Sequence, residues 1–275
     1  MSKTVIWILF LAGLGYACVI LLLYLRQRSM IYYPHPEVSS TAAEPLWLEN
    51  GGHRLKIWQT APGRASGVLY FGGNAENVLH SLAELERLYP DSSLYLMNYR
   101  GYGGSSGSPS EEALLADAVA LYDKVASTHE DIVVMGRSLG TGVAVYLASQ
   151  RPIRAMVLVS PYASMVALAR HYYPLLPVNP LLKDRFESQL RAPQISVPVL
   201  ALIAGRDEVI TAKISTVCVS LMRRMILWWR IPSTSSLRTF STRPAPSICR
   251  LLFRCSNAEA SCAASPAAPP PPSLK

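Results

Sequence analysis

The sequence predicts an α/β domain, a mostly parallel sheet with helices on both faces, carried behind an N-terminal apolar helix. Three observations lead there. Short apolar runs recur with helix-like stretches between them. The runs lack the polar alternation of a one-sided sheet. A glycine–serine–glycine turn joins one of these runs to a helix. Strands that are apolar throughout belong to parallel sheets covered on both sides, and ligands then gather at the carboxyl ends of the strands. A chain of 275 residues suits one such domain.

The first element is the run 5–25, which holds 21 residues without a charge. As a helix it would span roughly 31 Å, about one hydrocarbon core. A signal peptide is the competing reading, but its apolar region is normally shorter, and no small-x-small cleavage site follows before Arg26. The run therefore reads as a transmembrane anchor. Lys3 precedes it and Arg26 and Arg28 follow it, which leans toward a cytoplasmic body by about one charge.

Behind the anchor the elements alternate. Residues 54–60 alternate in polarity and read as a strand. Residues 67–73 are apolar and end in glycines, and 92–107 read as a strand running into a glycine-rich loop. Ser108, Pro109 and Glu111 form a capping box with proline at the first helical position. Leu114, Ala118, Leu121, Tyr122 and Val125 then give one apolar helix face. Residues 131–136, 155–160 and 197–205 are further strands, and the 36 residues 161–196 form a small cap, aromatic and apolar enough for an acyl chain or another greasy substrate. A cap that only packs on the core or the membrane surface is the alternative.

Chemistry concentrates at Gly136-Arg137-Ser138-Leu139-Gly140. A five-residue G-x-S-x-G match is weak alone. Here a strand precedes it and a helix follows, the setting in which a serine is held in a strained turn as a nucleophile. The helix N-terminus adds partial positive charge. A plain glycine turn with a capping serine is the alternative. Acyl transfer needs N–H donors for the oxyanion. The N–H of Leu139, next to the serine, is one candidate, and that of Asn74, in the Gly72-Gly73-Asn74-Ala75 loop after a strand, is the other. An acid should follow a later strand, and Asp207 stands 69 residues after Ser138, with Glu208 as the fallback. Ordinary turns are the alternatives for both loops.

Taken in order, "SMIYYPHP", "FGGNAEN", "NYRGYGGSSG", "GRSLGTGVA" and "IAGRDEVI" resemble the α/β-hydrolases over residues 30–210, in particular the membrane-anchored Bem-type, serine-aminopeptidase-like serine hydrolases. The resemblance implies hydrolysis of an ester, thioester or amide through an acyl-enzyme, with Ser138 and Asp207 catalytic and Asn74 and Leu139 at the oxyanion hole. It implies a small-molecule or acyl substrate and no metal or organic cofactor. The family's glycine loop usually begins His-Gly, where this chain has Gly72-Gly73. That is a modest departure, because the backbone supplies the donor.

The family also places a histidine after the acid. The five histidines, His35, His53, His80, His129 and His171, all precede Asp207. Of these, only His171, in the cap, has a reach worth weighing. The segment 211–275 differs in kind, with eleven serines, eight prolines, nine basic residues, one acid, four of the five cysteines and no glycine. It reads as an aberrant, disordered tail behind a fold that lacks its C-terminal part. A reading-frame shift near codon 210 explains the change, and a divergent basic tail that binds anionic lipid is the alternative. The sheet is then expected to end on an open edge, with a marginal, aggregation-prone product.

The formal charge of +8 belongs to that tail, since residues 1–210 hold 17 basic and 17 acidic residues. The body therefore has no nucleic-acid footprint. The cysteines contain no CxxC, so neither a zinc site nor a disulfide framework is expected. Membrane contact is expected through residues 5–25. A non-catalytic pseudoenzyme or anchored interaction module is the rival reading, and a prolyl-type peptidase is a third.

Overall fold

Nothing in the apolar N-terminal run interrupts a helix, and α1 (Lys3–Ile31) extends over 29 residues, about 43 Å at 1.5 Å per residue. Ser2 caps it by accepting the Val5 N–H. It is long and apolar enough to cross a membrane, with a mean hydropathy of 2.6 over an 18-residue window of which none is buried. The computed structural model describes residues 1–204, 210, 215, 219–222 and 225–231, with residues 204 and 225–231 described by their backbone.

The sheet has eight strands: β1 (Glu44–Asn50), β2 (His53–Thr60), β3 (Ser66–Phe71), β4 (Ser92–Met97), β5 (Asp131–Arg137), β6 (Ala155–Val159), β7 (Val199–Ala204) and β8 (Met225–Ile231). Their spatial order is β1-β2-β4-β3-β5-β6-β7-β8. β1 and β2 pair antiparallel, as do β2 and β4. All other pairs are parallel. Every residue of β4, and of β3 beyond Ser66, is buried.

That burial follows from helices on both faces. Leu69, Phe71, Tyr95, Met97, Ile132 and Val134 join one core cluster with the inner faces of α3 (Glu111–Val125) and α4 (Leu139–Gln150). Residues of the opposite parity, such as Val68, Tyr70, Leu94, Leu96 and Val133, are buried outside that cluster, so the other face is covered too. There α2 (Leu82–Leu88) buries Leu82 and Leu85.

The structure corrects four expectations. β1 was not foreseen. β2 does not alternate in burial: Leu55, Lys56, Ile57 and Trp58 are all buried. Lys56 tolerates this because its Nζ lies 2.7 Å from a Glu37 carboxylate oxygen and 4.3 Å from the Trp58 ring centre. The N-cap of α3 is Ser110, not Ser108. Its Oγ accepts the Ala113 N–H, and Pro109 lies outside the helix. The expected apolar face of α3 is buried as foreseen. Finally, β7 is not the sheet edge, because β8 pairs parallel with it. β8 lies within the segment expected to be a tail, the rest of which lies largely outside the described residues.

The cap carries α5 (Met165–Tyr172), α6 (Val178–Leu181) and α7 (Ser188–Arg191). Its Asp184 is buried and holds three elements together. It accepts from Arg28 of α1 at 2.9 and 3.2 Å and from the Glu111 N–H, the first of α3, at 3.0 Å. That last bond fixes where α3 begins.

A second buried carboxylate, Asp117 of α3, accepts from Arg100 Nε and Nη2 and from Asn50 Nδ2, each at 2.7 Å. Arg100 keeps only 13% of its side chain exposed, so removing its partner strands a nearly buried charge. Asp117→Ala is expected to cost about 3–5 kcal/mol, read as a fall in the urea midpoint of the detergent-solubilised chain. Asp117→Leu with Arg100→Met should recover most of it.

Candidate active site

The elbow between β5 and α4 sets the site. Ser138 has φ 49° and ψ −117°, a region that a non-glycine residue occupies at a cost of about 1–3 kcal/mol. Its N–H donates to Val159 O at the end of β6 (2.8 Å), and its carbonyl accepts the Thr141 N–H (2.9 Å) and hydroxyl (2.7 Å). Its backbone is thus clamped on both sides. Among the described residues no hydrogen bond reaches its Oγ. The flanking glycines are steric requirements: a Cβ at Gly136 would stand 2.5 Å from Gly140 O, and one at Gly140 would stand 2.0 Å from Phe71 O.

Opposite the elbow lies the loop after β3, where a Cβ added at Gly73 would stand 3.7 Å from the Ser138 Cβ. Glu76 shapes this loop. Its Oε2 accepts the Gly73 N–H at 2.8 Å, and its Oε1 accepts the Tyr70 hydroxyl at 2.7 Å and the Ser81 hydroxyl at 2.6 Å. Burial, then the Glu76 charge, push the Tyr70 hydroxyl far up, which keeps it a donor. The Tyr99 hydroxyl donates to Gly72 O at 2.8 Å.

Asn74 is held from the side of α1 and the segment after it. Its carbonyl accepts the Tyr102 hydroxyl (2.6 Å) and the Tyr33 N–H (3.2 Å). Burial pushes the Tyr102 hydroxyl up to about 12. The Asn74 side-chain amide donates to Ile31 O, the last residue of α1, at 3.0 Å. Among the described residues no acceptor is seen for the backbone N–H of Asn74 or that of Leu139, the two donors expected from the sequence. The sequence did not signal Glu76, Tyr99 or Tyr102, although a glutamate three residues past Gly73 is the spacing at which a side chain can reach back to a loop N–H.

Asp207 and Glu208 lie outside the described residues. Among the described residues no histidine ring bonds Ser138. His35 contacts Pro36 O, His53 opens β2, and His80 lies in a short 3-10 helix, Val78–Ser81. His129 bonds Tyr95 and Arg64 just before β5, roughly 20 Å from the far end of that strand. His171, weighed above for reach, is exposed on α5 with its ring against Tyr172. No group of three or more potential metal ligands occurs among the described residues.

The comparisons agree with this geometry. Residues 68–188 match the model of the alpha/beta hydrolase fold. An uncharacterised protein of Mycobacterium tuberculosis is 36% identical over 220 residues, covering 72% of this chain and 75% of its own. Protein bem46 of Schizosaccharomyces pombe is 29% identical over 170 residues, covering 57% and 56%. Among solved structures, the Pyrococcus furiosus esterase Pf2001 superposes with a TM-score of 0.61 at 16% identity, covering 82% of this chain and 97% of its own.

The close approach of α4 to β3 yields a sharp expectation. Gly140→Ala puts a methyl into the Phe71 carbonyl, which cannot yield without breaking the β3 pairing. The variant should lose about 3 kcal/mol or more, whereas Ala144→Gly, further along α4, should lose only about 1 kcal/mol. Thermal unfolding of both variants checks the contrast.

Proposed function

Since the chain belongs to the α/β-hydrolase superfamily, within its Bem-type family, we propose that it is a membrane-anchored serine hydrolase in lineage, cleaving an ester, thioester or amide through an acyl-enzyme. In this reading α1 is the anchor and Ser138 Oγ attacks the acyl carbon. The free N–H groups of Asn74 and Leu139 hold the oxyanion. Asp207 orients an imidazole that accepts the serine proton and returns it to the leaving group. Water then releases the acyl group by the same route. The observation that carries the proposal is the strained Ser138 facing the loop after β3, where a Cβ added at Gly73 would stand 3.7 Å from the Ser138 Cβ.

One specific observation favours a second reading: no histidine follows Asp207. A serine hydroxyl without a base is a poor nucleophile near neutral pH, and loss of the histidine costs about 10⁶-fold in a well-studied serine protease. As written, the chain is an impaired hydrolase or a non-catalytic module that keeps the pocket.

A serine-directed fluorophosphonate probe on the full chain in micelles separates the two. The hydrolase reading expects slow labelling that imidazole buffer accelerates and Ser138→Ala abolishes. Folded chain that labels no faster than Ser138→Ala supports the module. Sequencing the coding DNA across codons 200–275 tests the frame shift. A second frame that continues past "GRDEVI" into glycine turns and a histidine would establish the parent as an ordinary hydrolase.

A further inference from the structure

The cap does not stop at the level where the apolar run of α1 ends. Tyr16 Oη donates to Leu175 O at 2.8 Å. Gln27 Nε2 donates to Leu181 O at 3.2 Å, and Gln27 Oε1 accepts the Lys183 N–H at 2.7 Å. The cap segment 175–183 therefore runs along α1 from residue 16 to residue 27, about 16 Å of helix. Tyr16 lies nine residues inside the apolar run that ends at Leu25, about 14 Å deep along the axis.

The composition of the segment follows that depth. Residues 172–182 carry no charge. Tyr172, Tyr173 and Leu175 are exposed, Leu175 at 86%, a costly surface to present to water. Exposed Arg170 precedes the uncharged segment, and near Gln27 stand the exposed cations Arg26 on α1 and Lys183 on the cap, the latter with its Nζ 4.1 Å from the Tyr24 ring centre. That is the level at which basic and aromatic side chains meet lipid headgroups. The backbone is also prepared for an apolar medium: Tyr173 N–H donates to Ala169 O, Leu176 N–H to Tyr173 O and Val178 N–H to Leu176 O. Unpaired groups there would be expensive.

Between α1 and the cap lies a cavity of about 300 Å³, lined by Leu23, Met30 and Ile31 on one side and Met165, Leu168 and Leu176 on the other. Ile31 is among its lining residues, and the Ile31 carbonyl accepts from the Asn74 side chain of the candidate oxyanion loop.

We propose that cap residues 172–182 lie in the leaflet that α1 crosses, and that the groove takes one acyl chain of a bilayer lipid. The substrate of the site is then a membrane-resident acyl compound. This rests on the anchor and hydrolase readings above. A lipid chain is the occupant the observations favour: the groove is nearly all apolar, continues the exposed apolar surface, and runs along α1 from Ile20, within the apolar run, past the level of Gln27 to Ile31.

The test uses the full chain in phosphatidylcholine vesicles containing a phosphatidylcholine with a diazirine at mid-chain. After irradiation, adducts are mapped by mass spectrometry. Adducts on Met165, Leu168 and Leu176 are expected, with others on exposed Leu175 and the outer face of α1. Leu168→Trp, which fills the groove, should abolish those on Met165 and Leu176 and leave those on Leu175. Adducts on α1 alone, with none on the cap, overturn the proposal without any variant. Fluorophosphonate labelling is read in the same vesicles. Missing cap adducts with intact Ser138 labelling sinks the lipid groove alone, whereas cap adducts without serine labelling support the groove and count against hydrolysis.

Discussion

The contact on which the rest of the molecule turns is the approach of the α4 N-terminus to the end of β3, where Gly140 leaves no space for even one carbon against the Phe71 carbonyl. That approach makes the turn between β5 and α4 tight enough to force Ser138 into its strained backbone conformation. It also sets the loop after β3 against the serine, where a Cβ added at Gly73 would stand 3.7 Å from the Ser138 Cβ. The strain persists because the surroundings over-determine it. Ser138 is pinned to β6 through Val159, and Phe71, Val134, Leu139, Val143 and Leu158 around it are buried, each such side chain contributing about 1.5–3 kcal/mol by burial.

Three carboxylates divide the remaining work of arrangement. Glu76 shapes the loop that faces the serine, Asp117 fastens the β1 end and the glycine loop to α3, and Asp184 fastens the cap to both α1 and α3. Buried ionic groups are weak evidence of stability. Their value here lies in geometry: Glu76 fixes its own loop, and Asp117 and Asp184 join segments far apart in the chain that apolar contact alone would leave free to slide.

Much of this was legible in the sequence. Five of the eight strands announce themselves because strands buried on both faces are apolar, β2 was read from an alternation that its burial does not follow, and the elbow announces itself because its glycines are steric necessities. What was missed has physical reasons. β1 carries Pro45, Glu44 and Glu49 and sits at an edge, where the apolar signal is weakest. β8 lies in a segment whose composition speaks against any fold. Ser110 replaced Ser108 as the cap of α3 because Asp184, 73 residues away from Glu111, claims the first N–H. The grip of Ile31 on Asn74 spans 43 residues, and no local pattern reports such a contact. The tyrosines and glutamate that hold the loop after β3 were not readable either.

The separation between α1 and its partners in the cap also sets an order of events during synthesis. Tyr16, Gln27 and Arg28 meet residues 154–159 positions later in the chain. At about 5–20 residues per second, α1 leaves the ribosome roughly 8–30 s before the cap exists. It must therefore settle into its surroundings alone, on length and hydropathy, and the cap docks onto a helix already in place. Substitutions at Asp184 then act on docking, whereas only changes within α1 act on insertion.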